Sequence, residues 1–352
     1  MMYTINNQEI RVNSSLRISG LDLIRVSAIL FVIAGHFFAL NTPYDTSVVD
    51  GLSMVVQGTL KTFFGCSVPL FLMLTGYLNI HKTPTMKYYK GMVRVLVAYL
   101  FFSIVTIAFR KYYLGEELSL LQWTLKIFDY SAIPYAWYIE MWIGLALLTP
   151  FLNYLYHAIP TLKQKLLLLA TLFVMTSLPN LVNGYIDIFP DYFTKACYPL
   201  VFYFMGTFIR EYQPMLKVWA GCMVILLISL VNPLITLILH GGDSISVQIA
   251  GGPNSALRVW IAVAIFLMLY RRDISVPCIK KWVTHCSMVS LEMYLCCYMF
   301  DQLYYPWFKE RFFVSQAQFL SWFFVIVPLC FLSSYGVAAL YNAVSRVVQR
   351  KR

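Results

Sequence analysis

Apolar residues run along this chain in long blocks separated by short polar connections. A bilayer core needs about 20 mainly apolar residues per helix. Ten stretches meet that length, some only roughly: Leu21–Leu40, Thr62–Ile80, Met92–Phe109, Ala136–Ala158, Lys165–Val182, Tyr192–Ile209, Val218–His240, Ala256–Tyr270, Cys286–Tyr305 and Gln318–Tyr341. The sixth is interrupted by Lys195 and Pro199, and the eighth is short. No repeat of fixed period and no low-complexity tract is evident. The pattern predicts an all-α fold, a polytopic membrane helix bundle of about ten transmembrane helices. It divides the chain into a polar N-terminal segment (1–20), a membrane domain (21–341) and a basic tail (342–352).

Composition agrees. Of 352 residues, 60% are hydrophobic and only 12% are charged. An ordinary soluble domain is about a quarter charged and lacks the interior to hide so much apolar side chain. Lys and Arg total 27 against 16 Asp and Glu, a net charge of +11. With ten spans, 18 of the 27 fall on the side of the two termini, 8 on the opposite side, and Arg25 lies within the first span. That asymmetry follows the positive-inside rule and predicts that both termini are cytoplasmic. The basic balance is therefore mainly topology, with a minor part for anionic membrane lipids, and nucleic acid is excluded as a partner. The polar first twenty residues precede a full-length span with no convincing small-residue cleavage site, so a retained signal anchor is expected. The eight cysteines fall in spans or cytoplasmic connections, and their spacing implies neither a disulfide framework nor a metal site.

Ionisable side chains inside a span are costly and mark function by default. The first span carries Asp22, Arg25 and His36. Eleven steps of 100° bring Arg25 and His36 within about 20° of one face, roughly 16 Å apart along the axis, with Ile29 and Val32 between them. Alone, Arg25 reads as a cation snorkelling to the headgroups, and His36 as a histidine bonded to a neighbouring helix. Their shared stripe argues for a joint role. Glu140, near the outer end of the fourth span, lies at a depth similar to His36 and is a candidate to orient it. Glu292 and Asp301 in the ninth span read as structural ion pairs. The connection from His81 to Arg94 holds Lys82, Lys87, Lys90 and Arg94 and suits a phosphate-rich ligand, or simply carries ordinary positive-inside charge.

Five pieces in order are similar to one family. They are Leu21-Asp22-Leu23-Ile24-Arg25 through Gly35-His36, Val68-Pro69-Leu70-Phe71 through Gly76-Tyr77-Leu78, Trp137-Tyr138 through Thr149-Pro150, Phe202 to Gly206, and Ser290-Leu291-Glu292-Met293-Tyr294-Leu295. Over nearly its whole length the chain resembles the acyltransferase 3 family of integral-membrane O-acyltransferases. The resemblance implies an enzyme that transfers acyl groups other than aminoacyl groups, and an O-acetyltransferase is expected. The donor would be cytoplasmic acetyl-CoA or another acyl-CoA, a substrate rather than a resident cofactor. The acceptor would be a hydroxyl of a cell-surface glycan or lipid-linked saccharide at the bacterial cytoplasmic (inner) membrane. The family's Arg, ten residues, His signature falls on Arg25 and His36. Its Arg-x-x-Arg motif, associated with the CoA phosphates, retains only its second arginine as Arg94, with Gly91 at the first position and Lys90 beside it. Cys297 and Tyr135 stand where the family often has histidines.

A neutral imidazole suits deprotonation of an attacking hydroxyl near pH 7. His36 is thus the candidate base, with Glu140 orienting it. Arg25 would stabilise oxyanion charge or hold CoA. Lys90 and Arg94 would anchor the nucleotide end. Direct transfer is simpler than an acyl-enzyme, for which no spacing speaks. The alternative class is a transporter or exporter of a glycan or lipid-linked precursor, which matched broken helices in two halves would favour. A non-catalytic scaffold would need no basic face leading to a buried histidine.

Overall fold

A computed structural model describes residues 18–41, 51–183, 186–240, 252 and 254–350. Among them the protein is all-helical. The helices are α1 Ser19–Ala39, α2 Gly51–Phe64, α3 Ser67–Asn79, α4 Met86–Tyr112, α5 Leu120–Phe128, α6 Trp137–Ala158, α7 Leu162–Thr176, α8 Leu178–Val182, α9 Thr194–Tyr212, α10 Val218–His240, α11 Ala256–Leu269, α12 Pro277–Met288, α13 Ser290–Phe312 and α14 Gln316–Arg350.

Every apolar stretch read from the sequence falls on helix. By length and composition, however, six segments among the described residues are long and apolar enough to cross a membrane: Ser19–Ala39, Gly51–Asn79, Met86–Tyr112, Leu162–Val182, Val218–Ile235 and Gln316–Val347. Ala256–Leu269 is apolar but short. α6, α9 and α13 have the length, at 22, 19 and 23 residues. They fall short in apolar composition, because they carry polar side chains such as Asn153, Thr207, Glu292 and Asp301 that are buried inside the bundle. The two ends expected in the cytoplasm, residues 1–17 and 351–352, lie outside the described residues.

Side-chain caps mark helix starts where the chain leaves its connections. Thr85, Ser119 and Thr161 accept from backbone N–H groups three residues on, at the starts of α4, α5 and α7, and satisfy donors that a helix start leaves open. Ser119 and Gln122 close a reciprocal capping box.

The helices form two groups that share α1. One face of α1 (Val26, Ile29, Ile33, Phe37) packs into an apolar cluster with α4, α12, α13 and α14. Another face (Leu21, Ile24, Ala28) packs into a second cluster with α3, α6, α9 and α11. α3 and α9 approach most intimately. A Cβ on Gly76 would run into the Tyr203 backbone, and one on Gly206 into the Met73 backbone. Only glycine allows two helix backbones to meet this closely, the usual device of membrane helix pairs. Asn153 of α6 donates to the carbonyls of Asn79 and Lys82, both at 2.7 Å, and accepts from Tyr203 at 2.5 Å, tying α3, α6 and α9 at one end.

Candidate active site

α1 presents its polar stripe to the seam between the two groups. Near its end Nδ1 of His36 lies 2.9 Å from Oδ2 of Asp301 on α13. The same oxygen accepts from Tyr135 Oη at 3.0 Å and from Asn41 Nδ2 at 3.3 Å. Asn41 Nδ2 also lies 3.3 Å from the His36 carbonyl at the end of α1. The Tyr135 ring packs on the imidazole, with centroids 4.0 Å apart, and its own carbonyl accepts from the Tyr294 hydroxyl. The His36 side chain is 12% exposed and that of Asp301 fully buried. A carboxylate on Nδ1 fixes the ring's orientation and favours the tautomer with the proton on Nδ1, which leaves Nε2 as the acceptor.

A second constellation lies toward the start of α1. Arg25 Nη1 donates to Ser287 Oγ at 2.9 Å and lies 3.8 Å from Asp22 Oδ1. Asp22 is held in turn by Ser287 at 2.7 Å and Thr284 at 3.2 Å. Side chains on a helix tilt toward its N-terminus, and this bonding draws Arg25 the same way, away from His36. With roughly 16 Å of helix between them, the two cannot act on the same atom.

A cavity of about 270 Å³ opens on the stripe. Arg25 and Val32 of the α1 stripe line it, together with side chains of α3, α4, α6 and α13. Val32 sits one helical turn before His36, on the side to which the imidazole tilts.

The sequence-predicted residues divide as follows. Arg25 and His36 share the stripe as expected, and Arg25 lines the cavity. Arg94 on α4 is exposed and lies 3.8 Å from the buried carboxylate of Glu292, beside Val95 and Leu291 of the cavity wall. Lys90 is exposed one turn earlier on the same helix. Glu140 is exposed on the first turn of α6. The expectation that it orients His36 is corrected by the geometry, which puts Asp301 on that ring nitrogen. Depth alone selected Glu140, and Asp301 has a comparable depth on a helix that contacts α1. Tyr135 was noticed as a departure from the family pattern, yet it bonds Asp301 and packs on His36. Asn41, Thr284 and Ser287 went unremarked, and short polar residues next to a span's end give no distinctive signal.

Among the described residues no group of three or more His, Cys, Asp or Glu side chains is arranged to hold a metal. The model of the Acyl_transf_3 family, described as an acyltransferase domain, matches residues 18–339. The chain belongs to this acyltransferase 3 family. The match takes in both constellations and the cavity. The comparisons with curated proteins and with solved structures return no match. Family membership makes this a membrane acyltransferase.

Proposed function

We propose that this acyltransferase moves an acyl group from an acyl-CoA thioester, approaching from the cytoplasm, to a hydroxyl of a cell-surface glycan or lipid-linked sugar at the bacterial inner membrane. The observation that carries the reading is the bond between His36 Nδ1 and Asp301, which leaves Nε2 to take a proton. In the reaction the acceptor hydroxyl oxygen attacks the thioester carbon while Nε2 removes its proton. The carbon–sulfur bond then breaks, and the imidazolium returns the proton to the departing thiolate. Asp301 offsets the charge the ring gains and keeps it oriented. Tyr135 and Asn41 position Asp301. A placed base of this kind contributes about 10²- to 10⁴-fold.

The separation along α1 assigns Arg25 to the donor side. The oxyanion role expected as one option for it requires contact with the carbon that His36 serves, which the roughly 16 Å of helix forbids. Arg94 and Lys90 hold the donor's anionic end, with Glu292 steadying Arg94. Both ends of the chain lie in the cytoplasm and ten helices span the membrane in this reading, supported by the 18-to-8 split of basic residues. Acetyl is the acyl group to which the resemblance points.

Deleting the protein tests the proposal. Cell-surface glycans should lose ester-linked acyl groups while their backbone is still made and delivered. Unchanged acylation with impaired glycan delivery would replace this reading with that of a transporter.

A further inference from the structure

Most neutral polar side chains in the cavity wall are committed within the protein. Thr75 donates to the Phe71 carbonyl at 2.9 Å, Asn79 to the Thr75 carbonyl at 2.9 Å, and Ser290 to the Ser287 carbonyl at 3.1 Å. Tyr294 donates to the carbonyl of Tyr135. Two residues of α6, Tyr138 and Trp142, also line the cavity and differ. Among the described residues neither the Tyr138 hydroxyl nor the Trp142 indole N–H has a hydrogen-bond partner. Water satisfies such donors in an open cavity. A guest that displaces the water without bringing acceptors of its own loses affinity.

The spacing of the two donors and the size of the cavity describe that guest. Tyr138 and Trp142 are four residues apart, so they share a face of α6, roughly 6 Å apart along its axis. On α3 the lining runs from Val68 to Asn79, roughly 16 Å of helix, so the cavity suits an extended chain. The arm of an acyl-CoA, between its nucleotide and its thioester, carries two secondary amides with two methylenes between them. Standard bond lengths place the two amide carbonyls roughly 5 Å apart. With an even number of bonds between them, an extended chain points both oxygens to one side. A cavity of about 150 Å³ takes benzene, with six heavy atoms. By that ratio this cavity, at about 270 Å³, holds roughly eleven. The stretch of the arm from its first amide carbonyl to the sulfur has that many.

We propose that the Tyr138 hydroxyl and the Trp142 indole N–H each donate a hydrogen bond to one amide carbonyl of the donor's arm. The pair selects an amide-bearing arm over a plain hydrocarbon chain of the same length. The inference rests on the acyl-CoA reading above. Tyr135, just before α6, packs on His36, so Tyr138 lies nearer the base than Trp142 does. Tyr138 therefore takes the amide next to the thioester, and Trp142 takes the one nearer the nucleotide.

The test is direct binding to the full chain in lipid nanodiscs, with empty nanodiscs subtracted. Three probes are used: acetyl-CoA, adenosine 3′,5′-bisphosphate, which has no arm, and an acetyl-CoA analogue with methylenes in place of both amides. Tyr138→Phe and Trp142→Phe each remove one donor and keep an aromatic ring. Each should weaken acetyl-CoA binding roughly three- to tenfold and leave bisphosphate binding unchanged. Unchanged acetyl-CoA affinity in both variants would overturn the assignment, and so would an equal loss for both probes, which marks a distorted fold rather than a lost contact. Wild type supplies a check that needs no variant. It should bind acetyl-CoA at least as tightly as the hydrocarbon-armed analogue. Tighter binding of the analogue would mean that the amides find no partners, and would overturn the assignment while leaving the acyl-CoA reading standing. Wild type that binds none of the three probes would remove the acyl-CoA reading itself.

Discussion

One carboxylate oxygen, Oδ2 of Asp301, takes hydrogen bonds from a histidine and an asparagine at the end of α1 and from a tyrosine just before α6. Its removal is therefore more informative than its burial. Asp301→Asn keeps the volume and can still bond to its neighbours, but it no longer selects the His36 tautomer or offsets the imidazolium charge. The same change in the serine protease triad costs about 10⁴-fold. Here kcat for acyl transfer should fall at least 10²-fold with donor KM little changed, measured on purified enzyme. On the donor side Arg94 and Lys90 differ. Arg94 reaches Glu292 beside the cavity, whereas Lys90 is one turn further toward the connection. Arg94→Ala should raise donor KM roughly tenfold or more, since hydrogen bonds to charged groups are worth about 1.5–3 kcal/mol. Lys90→Ala should raise it less. An Arg94→Ala enzyme with unchanged donor KM would break the assignment.

At the scale of elements, the stripe from Arg25 to His36 was legible because both residues lie on one helix, where spacing alone fixes their relation. The partner of His36 was not. Which spans touch α1 is decided by packing between residues hundreds of positions apart, and the sequence supplies only their depths. Glu140 and Asp301 share a depth, and only the contact between α13 and α1 separates them. Helix packing also explains the match of Gly76 and Gly206 to the family pattern, since each faces the other helix's backbone. Gly76→Val puts a branched side chain against the Tyr203 carbonyl. Such overpacking typically costs 1–3 kcal/mol, so the thermal midpoint in detergent should drop, and an unchanged midpoint would contradict the α3–α9 contact. α5 was not foreseen, being too short to span. Its connection is stapled by Arg110, which donates to both carboxylate oxygens of Glu116 at 2.9 and 2.7 Å and to the carbonyls of Ser131 and Ala132. These bonds from Arg110 hold the Glu116 carboxyl below its ordinary value. A depressed folded value means the contribution is present above the unfolded value, about 4.3, and is lost as pH falls through the folded one. Amide protection over 113–136, relative to the intrinsic exchange rate at each pH, should therefore be high at pH 7 and fall as pH drops below the unfolded carboxylate value of about 4.3. Glu116→Gln should show low protection at both pH values.

At the scale of the molecule, two helix groups share α1, and the family signature lies on that shared helix. The cavity opens at their seam, with Arg25 in its wall. In the proposed reaction the donor would enter from one side of the membrane and the acceptor from the other. The all-helical class was legible from hydropathy. The helices that close the seam, α6 and α13, bury polar side chains such as Asn153, Glu292 and Asp301. A hydropathy criterion passes over them for the same reason that they matter to the site. The account stands or falls on His36 as the base. The most direct test is acyl transfer from acyl-CoA by purified His36→Gln beside wild type, with insertion and thermal midpoint as controls. Glutamine keeps similar volume and hydrogen bonding but cannot take the proton. Normal insertion, unchanged donor affinity and a loss of about 10²- to 10⁴-fold in kcat are expected if His36 is the base. Full activity in the glutamine variant would contradict it.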